Sequence, residues 1–205
     1  MMKQITRTRT DPEETRSRIL EVAENFFRSI GYQKTSVADI AAEVGMSPAN
    51  VYRFFPSKGA INECICGRIV EEVAAIAFSI ARTNAPAPEK LSRLLTSIHE
   101  HNKATLIKEK RTHEMVAAAM QENWSIIKAH IERMTTILEG IIREGVEAGD
   151  FDVDDPAEAS RSVKRAFMTF MHPQMIEHCI LHGEDTEEGL REQIRFILKG
   201  LGKTG

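Results

Sequence analysis

Three times the chain writes the same punctuation, a short polar side chain followed at once by proline: Asp11-Pro12, Ser47-Pro48 and Asp155-Pro156. An aspartate or serine at the N-cap accepts a hydrogen bond from the unpaired amides of a first helical turn. Proline suits the next position because its fixed φ fits a helix and its missing N–H is not needed there. Glu14 and Glu158 stand where an acid can return a capping-box bond. Ser36 before Val37 and Ser57 before Lys58 add two further hydroxyl caps. Between these marks apolar residues recur every three or four positions, and no run of β-branched or aromatic residues alternates with polar ones. The expected fold class is all-α.

The first helix sets Ile19, Ala23, Phe26 and Ile30 on one face and stops at Gly31, where a left-handed residue is needed. The helix begun by Ser57 runs through Cys64, Ile69, Val73 and Ile76 to about Arg82, and Thr83–Pro88 is the clearest break in the chain. Helices are expected at about 89–108, 112–120 and 124–148, the last with a stripe of Ile127, Ile131, Met134, Leu138 and Ile141. Another starts at Asp155, carries Val163, Phe167 and Phe170, and is broken or kinked near Pro173. The final helix starts near Thr186 with Leu190, Ile194, Ile197 and Leu201. We expect two domains, residues 1–60 and a larger helical one at 61–205.

Residues 35–55 have the grammar of a helix-turn-helix. Val37, Ile40, Ala41 and Val44 pack a first helix inward, Gly45 permits a tight turn, and Val51 with Phe55 anchors a second helix. That leaves Ser47, Pro48, Ala49, Asn50, Tyr52 and Arg53 to face a partner. A helix so placed fits the major groove of B-DNA, its N-terminal residues against base edges. Small residues at Pro48 and Ala49 allow close approach; Asn50 or Arg53 suits bases, and Tyr52 and Lys58 suit phosphates. Net charge is −3, which by itself argues against a nucleic-acid partner, but its distribution does not: residues 1–60 carry nine Lys/Arg against seven Asp/Glu, the remainder 18 against 23.

The block Ile30-Gly31-Tyr32, Thr35-Ser36-Val37, Asp39-Ile40-Ala41, Val44-Gly45-Met46-Ser47, Val51-Tyr52 and Phe55-Pro56-Ser57-Lys58 resembles the DNA-binding domain of the tetracycline-repressor (TetR) family over about residues 13–65. Phe54 and Gly59 depart from its common pattern, where His or Tyr and Glu are usual. The resemblance implies a ligand-responsive repressor whose DNA-binding residues include Ser36 and Lys58 beside those named above. It also implies a homodimer through helices at about 156–182 and 186–201, a pseudo-palindromic double-stranded operator, and a ligand cavity enclosed by the C-terminal helices.

Other features carry less. Lys3, Arg7 and Arg9 form a basic arm that suits a minor groove, though charged termini are commonly only solvated. Phe78, Met115, Met120, Trp124, Met134, Phe167, Phe170 and Met171 are candidates to line a pocket for an apolar or aromatic effector, against the plainer reading of ordinary core. His99, His101, His113 and the group His178, Cys179 and His182 lack a third ligand at a diagnostic spacing, so no metal and no cofactor is expected. The tail Gly200-Leu201-Gly202-Lys203-Thr204 lacks the first glycine and following helix of a phosphate loop. GxSxG, HExxH, GxGxxG and ExxH are absent, which speaks against an enzyme. Three cysteines without a CxxC pair, no secretory h-region and no apolar run of spanning length lead us to expect a cytoplasmic protein with no membrane partner. The rival reading is a dimeric helical ligand carrier without DNA recognition.

Overall fold

The computed structural model describes residues 11–107, 110–122, 124–183 and 186–202. The basic-arm residues Lys3, Arg7 and Arg9, and the tail residues Lys203 and Thr204, lie outside them. Among the described residues the regular structure is helical: α1 (Pro12–Ser29), α2 (Val37–Val44), α3 (Pro48–Phe54), α4 (Lys58–Ala81), α5 (Ala87–Asn102) continued by a π-helical turn (Lys103–Ile107), α6 (Lys110–Glu122), α7 (Trp124–Glu147), α8 (Pro156–Ala166), α9 (Met168–Met171), α10 (Pro173–Leu181) and α11 (Thr186–Gly200). None of them is long and apolar enough to cross a membrane.

The caps act as their residue types dictate. Asp11 accepts the Glu13 N–H at 3.0 Å, Ser57 accepts that of Ala60 at 3.0 Å, and Asp155 accepts those of Ala157 and Glu158. A capping box closes α2: the Ser36 hydroxyl oxygen accepts the Asp39 N–H, and the Asp39 carboxylate accepts the Ser36 N–H and O–H. The buried face of α1 is Ile19, Ala23 and Phe27. Phe26 is only half-buried, and Ile30, the C-cap, is exposed because it lies past the last turn that faces the core.

Two apolar cores result. One gathers α1, α2, α3 and the first half of α4, from Ile61 to Ile69, and takes in Met115, Val116, Ala118 and Ala119 from α6. The other joins the second half of α4, from Val73 to Ile80, to α5, α7, α8 and α11. The division falls inside one uninterrupted helix, and α6 belongs to the first core although it lies far along the chain. Within the second core Gly145 lets Phe151 fold across α7; a Cβ there would stand 2.2 Å from the ring.

The helix expected from Asp155 is broken twice. It stops at Phe167 and again at His172, where Pro173 starts the next helix. The second break leaves carbonyls of α9 without helical partners, and α5 supplies them: Asn102 Nδ2 donates to Met171 O at 2.8 Å, and His99 Nδ1 lies 2.9 Å from Phe170 O.

Candidate nucleic-acid interface and effector cavity

At the N-terminal end the hydrophobic effect decides which side of α3 faces out. Val51 and Phe55 are buried, and the Gly45 backbone is left-handed at φ 75°, which turns the chain from α2 into α3. Ser47, Pro48, Ala49, Asn50, Tyr52 and Arg53 are all exposed, as expected of a face held ready for a partner, and Ser36 is exposed at the start of α2. The Ser47 hydroxyl accepts the Asn50 N–H at 3.3 Å, which preserves the first turn. Hydrogen bonds from the Ser36 hydroxyl and N–H hold the Asp39 carboxyl below the ordinary aspartate range.

Lys58 is placed differently from the expectation. Its ammonium is turned inward and donates to Tyr32 O at 2.8 Å and Thr35 O at 3.1 Å, 4.3 Å from the centre of the Tyr32 ring. It ties the start of α4 to the turn between α1 and α2. Arg16 makes a second tie that sequence reasoning missed. Its guanidinium donates to Phe54 O at 3.1 Å and to Cys64 Sγ at 3.3 Å, and lies 4.2 Å over the Phe55 ring. Arg16 thus ties the end of α3 to α1 and α4, and Lys58 ties α4 to the turn before α2.

Helix α6 is bonded to this end of the molecule. Arg28 donates to the Thr112 hydroxyl at 2.9 Å, and the fully buried Asn62 donates to Met115 O at 3.0 Å. Arg111 lies so close to Gly31 that a Cβ there would stand 2.3 Å from its guanidinium.

Behind α6 lies a cavity of about 200 Å³. Ile69, Val70 and Val73 of α4, Ile98 of α5, Val116 of α6 and Ile127, Ile131 and Met134 of α7 give it an apolar wall. Met168, Met171 and His172, at the break between α9 and α10, close one side, with Asn102, His130 and Lys164 as its other polar side chains. A small extension of about 40 Å³ reaches Leu95, Leu138 and Phe167. Burial, and next the Arg133 charge, lower the His130 pKa against the opposing pull of Glu71.

Of the expected pocket residues, Met134 and Met171 line the cavity and Phe167 lines its extension. Met115 is instead a plug in the first core. Phe170 packs on His99 and Phe167. Phe78 points outward, 55% exposed, with Arg82 over its ring. At 100° per residue it cannot share the inward stripe of Val73, Ala74, Ala77 and Ile80. The side chains of Met120, Trp124 and His113 lie outside the described residues. The lining from α4, and His130 and Lys164, were missed; α4 carries apolar residues over much of its circumference, which hides their direction from periodicity. Among the described residues no three His, Cys, Asp or Glu side chains gather as metal ligands would.

Known proteins match this arrangement. Residues 19–63 match the profile described as "Bacterial regulatory proteins, tetR family", and residues 87–188 that of "Tetracyclin repressor-like, C-terminal domain". The probable HTH-type transcriptional regulator ArpR of Pseudomonas putida is 25% identical, over 76% of this chain and 79% of its own. The TetR-family regulator PfmR of Thermus thermophilus superposes with a TM-score of 0.59 at 25% identity, covering 90% of this chain and 98% of its own. FadR of the same organism, a TetR-family repressor solved with lauroyl-CoA, gives a TM-score of 0.63 at 19% identity, covering 91% and 94%. A helix-turn-helix with its outer face open, carried by a helical domain that encloses a cavity and matched in both halves, identifies the chain as a member of the TetR family of DNA-binding transcription regulators.

Proposed function

We propose that this chain is a homodimeric cytoplasmic repressor that sets two copies of α3 in successive major grooves of a pseudo-palindromic operator and leaves it when a small molecule fills the cavity behind α6. The observation that carries the reading is a shared wall. Ile69 and Val116 both belong to the core that holds α3 and both line the cavity. A ligand that displaces either disturbs the same core in which α3 is anchored. Asn62 and Arg28, which bond α6 to α4 and α1, pass that displacement on without slack.

Asn50 and Arg53 read bases in this arrangement, Pro48 and Ala49 admit the backbone, and Ser36, Ser47 and Tyr52 reach phosphates. Lys58 contributes by fixing the start of α4. The dimer forms through about 156–182 and 186–201, a reading supported by the exposed Met175, Ile180, Leu181 and Phe196 on α10 and α11. The domains divide where the cores do, within α4, rather than after residue 60. No catalytic step is assigned to the cavity.

Selection of binders from a random duplex pool at low and near-physiological salt tests the proposal. It requires enrichment of a two-half-site sequence whose affinity falls steeply as salt rises. No enrichment at either salt would replace it with a ligand carrier that has lost DNA recognition.

A further inference from the structure

The polar side chains of the cavity are Asn102, His130, Lys164 and His172, and among the described residues no carboxylate lines it. One N–H of the Asn102 amide is given to Met171 O. Burial lowers the His130 pKa, which disfavours its charged form. Lys164 is half-buried and lines both the cavity and its extension, and among the described residues it makes no ion pair or hydrogen bond with a protein group. A half-buried cation with no protein partner gains from an anion or acceptor that replaces the hydration its surroundings remove.

Size narrows the class. About 200 Å³ lies below the roughly 300–1,000 Å³ of sites for drug-sized ligands, which favours a small ligand. An acyl-coenzyme A is far too large to be enclosed there. The walls are branched aliphatic chains and methionines, which suit a flexible alkyl chain or a single ring.

Resting on the proposed effector role of this cavity, we infer that its ligand is a small free carboxylic acid anion with an apolar body of about the size of octanoate or phenylpropanoate. The carboxylate is held by the Lys164 ammonium beside His130, and the tail lies along Ile69, Ile98, Ile131 and Met134. Lys164 thereby sets the ligand's charge and the aliphatic wall sets its length.

The test uses the full chain, with calorimetric titration of octanoate, octan-1-ol and octylamine. The same three compounds are then added to the protein on its selected duplex, with release followed by fluorescence anisotropy. Octanoate is expected to bind at least about tenfold tighter than octan-1-ol, the ratio a charge-assisted hydrogen bond provides, and octylamine weakest. Lys164→Met is expected to erase the preference for octanoate, and Lys164→Arg to retain most of it. Octan-1-ol binding as tightly as octanoate, a preference that survives Lys164→Met, or no binding of any of the three would overturn the inference. The failures are separable: release by octan-1-ol alone leaves the regulator reading standing, whereas absence of a selectable duplex removes that reading while calorimetry still decides the ligand's charge.

Discussion

Lys58 offers the sharpest test of how the DNA-binding end is built, because its type suggests a phosphate contact and its geometry a structural tie. Replacing it with methionine keeps the stem and removes the ammonium. The structure assigns that ammonium two carbonyl acceptors, at 2.8 and 3.1 Å, and an aromatic face at 4.3 Å. A hydrogen bond from a charged donor contributes about 1.5–3 kcal/mol and an exposed cation–π contact about 0.5–1 kcal/mol. Because the side chain is half-buried and the three share one group, screening and non-additivity reduce the total to about 2–4 kcal/mol. For a chain of this length 3 kcal/mol is roughly 6–12 °C in Tm.

Thermal denaturation by circular dichroism reads that loss, and the salt dependence of duplex affinity reads the other role. A lost phosphate contact lowers the slope of log K against log salt by about 0.9; a lost structural tie leaves the slope unchanged at temperatures where the variant is folded. Lys58→Met melting within 1–2 °C of the parent, roughly the shift of 0.5 kcal/mol, with a slope reduced by about one, would refute the structural assignment.

Three further outcomes follow from the packing. Gly145→Ala places a methyl 2.2 Å from the Phe151 ring and 2.9 Å from Ala87; we expect a loss of about 1–3 kcal/mol in urea unfolding with the salt slope of DNA binding unchanged. Cys66, pushed up to about 12 by burial and then by the Glu24 charge, is expected to resist a maleimide at pH 8 until the protein is unfolded, while half-buried Cys64 reacts first, as peptide mapping would show. His130 has a folded pKa below its ordinary 6.5, chiefly through burial, so the unfolded chain takes up its proton first as pH falls. Its contribution to stability is whole above about pH 6.5 and declines as the pH falls toward the lowered value. His130→Gln should therefore lose less stability than the parent between pH 7.5 and 5 in urea titrations.

Local features were legible in the sequence, and long-range ones were not. Caps at Asp11, Ser36, Ser47, Ser57 and Asp155, and the outward face of α3, depend on neighbours within a turn or two. The side chain decides them almost alone. The inward turn of Lys58 depends on carbonyls more than twenty residues away. The burial of Met115 depends on α6 crossing to the far core, where Asn62 takes its carbonyl. Helical periodicity reports that a face is apolar and not which core it enters, so Met115 was indistinguishable from Met134. The double break at Phe167 and His172 was half visible: proline marks the second, but nothing local marks the first.

The passage of α6 into the first core has a consequence for recombination. Residues 1–60 are contiguous in sequence yet not self-contained, since Ile61, Ile65, Cys66 and Ile69 of α4 and Met115, Val116, Ala118 and Ala119 of α6 fill their interior from outside. Exchanging this DNA reader onto another sensor at a cut after residue 60 would open the core under α1 and α2. A working chimera has to carry the first half of α4 and the inner surface of α6 along with the reader. In evolutionary terms, a change on one side of that shared core must be answered on the other.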